Sequence, residues 1–318
     1  MWFSPVAMHI PDGFLSTSVA VLLWLVSAMV IGYALKRVGK VLGEHQVPLM
    51  GVLAAAIFAG QMLNFAVAGG TSGHLVGAAL AAILLGPWAA ILVMTTVVAV
   101  QALIFQDGGL LSLGANLLNM AIVGVAVSYM AYRTLKQLSA GWRWGLFAAG
   151  FLAAWLSVEF SALAVALELA LSGTSPANLA IPAMAGIHAL IGLGEGLITL
   201  GALAFISSAR PDLIQAGATP QNSSKLVWVG GLSIAVALAV ASPLASAHPD
   251  GLEWVARQQG FLQSARGPLY RVLPDYLFPG LSNTALATIL AGVLGALIVF
   301  AVALAVAYTR RTRQTPEN

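Results

Sequence analysis

Five histidines occur in this chain, and two of them stand in strings built for turns and close approach. His9 follows Met8 at the head of MHIPDG, residues 8 to 13, and His74 sits in AGGTSGHLVG, residues 68 to 77. If the mature chain begins at Met8, three nitrogens are joined with no help from folding: the Met8 α-amine, the His9 backbone amide nitrogen and the His9 imidazole. They close one five-membered and one six-membered chelate ring in a plane. His74 supplies a fourth nitrogen and completes a square-planar set. That geometry suits Ni(II) or Cu(II), and Co(II) more conditionally, whereas Zn(II) prefers a tetrahedron. Pro11-Asp12-Gly13 then serves as the turn that folds the amino terminus back, with Pro fixing φ and Gly supplying a positive φ. The plain alternative is a turn that only introduces the first helix, and for His74 a histidine hydrogen-bonded to a backbone carbonyl. Thr71 or Ser72 is expected to cap a helix that begins at His74.

Seven residues, MWFSPVA, precede Met8. They carry no basic start and no apolar core of a signal peptide, and read as an upstream extension or a misassigned start. An unprocessed Met1 terminus removes the amine ligand.

A second group of polar residues lies inside apolar runs, where ionisable side chains are functional by default. His188 and Glu195 are seven apart and share a helix face, too far apart axially for a direct bond, so each is expected to pair with a neighbouring helix. Asn116 and Asn119 are spaced i,i+3, and Glu159 and Glu168 share one long run. Interhelical hydrogen bonds that fix packing, worth roughly 0.6 kcal/mol each, explain all six. The alternative is a shell of residues orienting His74 or the terminus, with His188, Glu195, Asn116 and Asn119 as its candidates. Other chemistry is set aside. The chain has no Cys, hence no thiolate, disulfide or cysteine nucleophile. It has no HExxH and no GxxxxGK[ST], hence no such zinc-protease helix and no nucleotide site of that type.

The elements that must position these groups are membrane helices. Hydrophobic residues make up 59% of the chain and charged residues 8%, against about 25% charged in a soluble domain. Apolar runs near the roughly 20 residues that span a bilayer fall at 18–35, 47–67, 75–86, 88–105, 114–132, 145–171, 180–207, 226–246 and 283–308. The third is too short to cross and is cut by Gly86-Pro87, so it reads as a half-helix or a broken pair with the fourth. Residues 208–225 have a linker composition, and 309–318 form a basic tail. The net charge of +3 is a topology signal and does not point to nucleic acid. With the N-terminus outside, Lys36, Arg37, Lys40, Arg133, Lys136, Arg143, Arg210, Lys225, Arg310, Arg311 and Arg313 fall on the cytoplasmic side. The loops at 68–74 and 247–282 then share the outer face with MHIPDG. In the 247–282 loop His248, Asp250, Glu253 and Asp275 are expected to be ordinary solvated residues, with a weak metal antechamber as the alternative.

MHIPDGFLS, GGTSGHLVG followed by LLGPWAA, FQDGGLLSLGANLLNMA at 105–121 and HALIGLGEGLIT at 188–199 resemble the CbiM/NikM family. Its members are substrate-binding (S) components of energy-coupling-factor transporters for cobalt or nickel, and the likeness runs from residue 8 to about 207. The tail from 226 to 308, with Pro249 to Glu253 reading PDGLE, resembles the small partner subunit CbiN/NikN. The resemblance implies an all-α polytopic membrane protein, about a seven-helix S-component-like bundle plus two C-terminal transmembrane helices. It implies Ni²⁺ or Co²⁺ as cargo, bound by Met8, His9 and His74. It also implies a transmembrane coupling (T) subunit and cytoplasmic ATPase (A) subunits as partners in the bilayer. An ion-coupled secondary carrier using His188, Glu195 and Glu159 as a proton path is the competing transport reading. A structural membrane protein with packed histidines is the third.

Overall fold

The computed structural model describes residues 9–40, 42–43, 46–214 and 224–311. Met8 and the seven residues before it lie outside the described residues, as do residues 215–223 of the linker and 312–318 of the basic tail.

Apolar composition drives each run into helix, because a chain in hydrocarbon must satisfy its backbone internally. In order these are α1 (Thr17–Val38), α2 (Gln46–Gln61), α3 (Ala78–Leu85), α4 (Pro87–Val100), α5 (Leu113–Asn116) and α6 (Gly124–Leu138). There follow α7 (Gly145–Leu171), α8 (Ala177–Ala209), α9 (Ser224–Ala241), α10 (Gly251–Gln259) and α11 (Thr284–Arg310). Counting α4 and α5–α6 with their π-helical continuations, seven of the described helices are long and apolar enough to cross a membrane. Every expected run contains one of these helices or a shorter apolar one. The shorter ones are α2, with 16 residues, and α3, with eight. Gly86 separates α3 from α4 with φ 76°, and Pro87 opens α4 where its missing N–H costs nothing. The third and fourth runs are thus the broken pair expected from Gly86-Pro87.

Two departures shape the site. Residues 65–67 and 71–73 form a small antiparallel ribbon, β1 (Phe65–Val67) and β2 (Thr71–Gly73), instead of the end of α2 and a helix cap. Thr71 and Ser72 therefore do not cap a helix at His74. Helix α3 begins four residues later, behind Gly77 in a left-handed conformation with no side-chain cap. The Thr71 hydroxyl donates to Pro249 O and the Ser72 hydroxyl to His248 O at 2.9 and 2.8 Å, while Ser72 N–H donates to Pro249 O at 2.8 Å. Their bonding capacity joins the ribbon to the 247–282 loop.

That loop is the second departure. Asp250 caps α10 by accepting from Glu253 N–H at 2.7 Å, and both residues are buried, so neither is a solvated loop residue. His248 and Asp275 are exposed as expected. The loop also reaches the N-terminal turn, where Arg266 N–H donates to Asp12 O at 2.7 Å. Below it, α2 packs between α9 and α11, and α7 runs along α8. Small residues permit this contact: a β-carbon on Gly231 would overlap Val52, and one on Gly295 would overlap Phe58.

Candidate metal centre

The first described residue of the site, His9, is 4% exposed and lies among other buried polar residues, Asp107, Ser112 and Asn116. Its placement follows from a chain of backbone bonds around the Pro11-Asp12-Gly13 turn. Asn116, at the end of α5, brackets Ile10: its Oδ1 accepts from Ile10 N–H at 3.0 Å and its Nδ2 donates to Ile10 O at 3.1 Å. Gly109 N–H adds a bond to the same carbonyl at 2.9 Å. Asp12 Oδ1 accepts from Ser112 N–H at 2.9 Å, and the Ser112 hydroxyl donates to Pro11 O at 3.0 Å. Gly13 closes the turn with φ 96°, a conformation a side chain would strain.

Asp107 completes the pocket around His9. Its Oδ1 accepts from His9 N–H at 3.2 Å and lies 3.4 Å from His9 Nδ1, while Asp107 O accepts from that Nδ1 at 3.3 Å. The backbone nitrogen and Nδ1 of His9 therefore turn to the same side and share one carboxylate oxygen. The other oxygen, Oδ2, accepts from the Tyr276 hydroxyl at 2.6 Å. Burial, then the adjacent Asp107 charge, raise the Tyr276 phenol well above its ordinary pKa, so it remains a donor. Neither Asp107 nor Tyr276 had been picked out as a site residue. The one signal was an acidic residue in the FQDGG turn, and Tyr276 lies more than 150 positions away in the chain.

His74 faces His9 edge-on, with ring centroids 5.7 Å apart. Its Nδ1–H donates to Leu75 O at 3.0 Å, which leaves Nε2 with its lone pair. Burial and the nearby His9 lower its pKa to about 4, so the ring is neutral and able to ligate at physiological pH. Glu195, fully buried on α8, fixes the segment behind it: Oε2 accepts from Val76 N–H at 2.7 Å and Oε1 from Gly77 N–H at 2.8 Å.

The four supporting candidates thus separate. Glu195 and Asn116 hold the two histidine-bearing segments. Asn119, in the π-helical turn after Asn116, instead donates to Glu168 on α7 at 2.9 Å. His188 does not bond to a neighbouring helix as expected. Its Nδ1–H donates to Met184 O in its own helix at 2.8 Å.

A cavity of about 90 Å³ is lined by His9, His74, His188, Asn116, Asn119 and Asp250 among others. Among the described residues no three His, Asp or Glu side chains stand together as a ready ligand set.

These features define a multi-pass α-helical membrane protein with a small imidazole-lined cavity at one end of its bundle. Residues 9–213 match the family described as the cobalt uptake substrate-specific transmembrane region, CbiM, and residues 225–312 match the PDGLE domain. The chain belongs to the CbiM family, and is a transport component, not an enzyme. It is 41% identical over 308 residues to a protein of Archaeoglobus fulgidus named a putative fused nickel transport protein NikMN, covering 96% of this chain and 100% of that one. It is 37% identical over 174 residues to a cobalt transport protein CbiM of Sorangium cellulosum, covering 52% of this chain and 76% of that one. A solved structure described as a truncated transition metal transporter superposes with TM-score 0.57 at 34% identity, covering 63% of this chain and 98% of that chain.

Proposed function

We propose that this chain captures Ni²⁺ or Co²⁺ in a planar nitrogen site made by the Met8 amine, the His9 amide nitrogen and Nδ1, and His74 Nε2. The carrying observation is the His9 geometry: its backbone nitrogen and Nδ1 converge on Asp107 Oδ1 at 3.2 and 3.4 Å, with His74 alongside. An ion at that vertex replaces the carboxylate oxygen, the amide proton leaves, and the ring adopts its Nε2–H form. The Asp107 charge then offsets the positive charge that one deprotonated amide leaves on the complex.

Residues 8–207 form the metal-binding membrane domain in this reading, 208–225 a cytoplasmic linker and 226–308 the two-span partner with its 247–282 loop. The N-terminus faces outward, supported by the excess of Lys and Arg at the opposite helix ends. Energy comes from separate coupling and ATPase subunits in this reading, because the 318 residues hold no GxxxxGK[ST] of their own. The test is covalent. One residue added before Met8 turns its amine into an amide and removes a basic nitrogen without altering any side chain. Protein starting at Met8 is expected to retain one Ni²⁺ after desalting, and protein keeping MWFSPVA far less, with both folded by thermal unfolding. Equal metal content refutes the amine ligand.

A further inference from the structure

The cavity beside the proposed chelate holds donors that the chelate does not use. His188 spends Nδ1–H on Met184 O, so its Nε2 carries the lone pair, the arrangement that fixes a metal-ligating imidazole. That edge of the ring abuts the turn carrying Asp250: a β-carbon on Gly251 would lie 3.0 Å from His188 Nε2 and 2.8 Å from Cε1. Asp250 is 6% exposed, uses Oδ1 on Glu253 N–H, and lines the same cavity as His188 and His74. The cation nearest in sequence, Arg257, is paired with Glu253. The same point lies 2.7 Å from Ile191 Cδ1, so only glycine at 251 lets the turn approach the ring this closely.

We infer that His188 Nε2 and the Asp250 carboxylate hold a second, weaker divalent transition-metal position beside His74, where an ion waits next to the planar site. Imidazole nitrogen with carboxylate oxygen suits Co²⁺, Ni²⁺ and Zn²⁺ alike. Two protein donors leave the remaining positions to water, so binding is weak and exchange is fast, as a waiting position requires. Asp250 belongs to the 247–282 loop and His188 to α8, so the site exists only where those two segments meet. The choice of a transition metal rests on the transport reading, but the position itself needs neither Met8 nor His9.

The experiment separates the two. In full-length protein carrying His9→Ala, titration with Co²⁺ followed by visible absorption and calorimetry is expected to show one weakly held, exchangeable ion. Adding His188→Gln or Asp250→Asn abolishes it. Gln retains a donor for Met184 O and Asn retains the α10 cap, and thermal unfolding confirms that each is folded. Gly251→Ala touches no donor and is expected to weaken the same ion by displacing the ring. Cobalt retained in both double variants, or no cobalt in the His9→Ala protein, overturns the proposal. Failure of the planar site alone gives a different result, since wild-type and His9→Ala proteins then bind alike.

Discussion

Asn116 holds the N-terminal segment and is not among the proposed ligands, so Asn116→Ala isolates positioning from coordination. The side chain makes two bonds to Ile10. The carbonyl keeps its second partner, Gly109 N–H at 2.9 Å, so truncation orphans one group only, the buried Ile10 N–H. An unsatisfied buried donor costs about 1–3 kcal/mol, and the lost bond to the carbonyl about 1 kcal/mol more. The docked segment is therefore destabilised by roughly 2–4 kcal/mol, a factor of about 30 to 1,000 in its opening equilibrium. Hydrogen exchange across residues 10–14 in detergent should accelerate by that factor. Metal affinity should fall by no more than that, since only the docked fraction binds. Asn119→Ala should leave the same amides unchanged, because Asn119 bonds Glu168 instead. Unaltered exchange at residues 10–14 in a folded Asn116→Ala protein would refute the clamp.

Glu195→Ala orphans the Val76 and Gly77 amides together, a cost of roughly 2–6 kcal/mol, and is expected to lower thermal stability and Ni²⁺ affinity by calorimetry, with Glu195→Gln intermediate. Burial raises the Asp250 pKa from 3.8 to about 8. The folded state then holds a proton that the unfolded chain releases, so this contribution to stability is present below pH 4 and lost as pH rises towards 8. Asp250→Asn should raise the melting temperature of metal-free protein at pH 8 and change it little at pH 4. The absence of native Cys makes single-cysteine labelling clean. An impermeant maleimide is expected to label Ser282→Cys in intact cells and Thr309→Cys only after permeabilisation, and the reverse pattern would invert the topology. Labelled nickel uptake should require the coupling and ATPase subunits, and vigorous uptake by the chain alone down a pH gradient would favour a secondary carrier.

The membrane class, the helical runs, the Gly86-Pro87 break and the tight turn at Gly13 were all legible in the sequence. Each rests on composition or on one residue's backbone preference, and hydrocarbon leaves the backbone little choice. His9 was legible as a candidate donor because a chelate ring is set by covalent spacing, and His74 only through its glycine-rich string. Tertiary structure alone decided what surrounds them. Asp107 meets His9 across 98 positions, Glu195 meets the segment behind His74 across about 119, and Ser72 meets His248 across 176. No periodicity encodes such meetings, because a carboxylate in an apolar run satisfies whichever buried N–H the packing brings to it. The loop carrying Asp250 illustrates the limit most directly. Its polar composition pointed to solvent, yet the carbonyls of Pro249 and His248 found donors in Thr71 and Ser72, and that docking buried Asp250 at the cavity that His188 also lines.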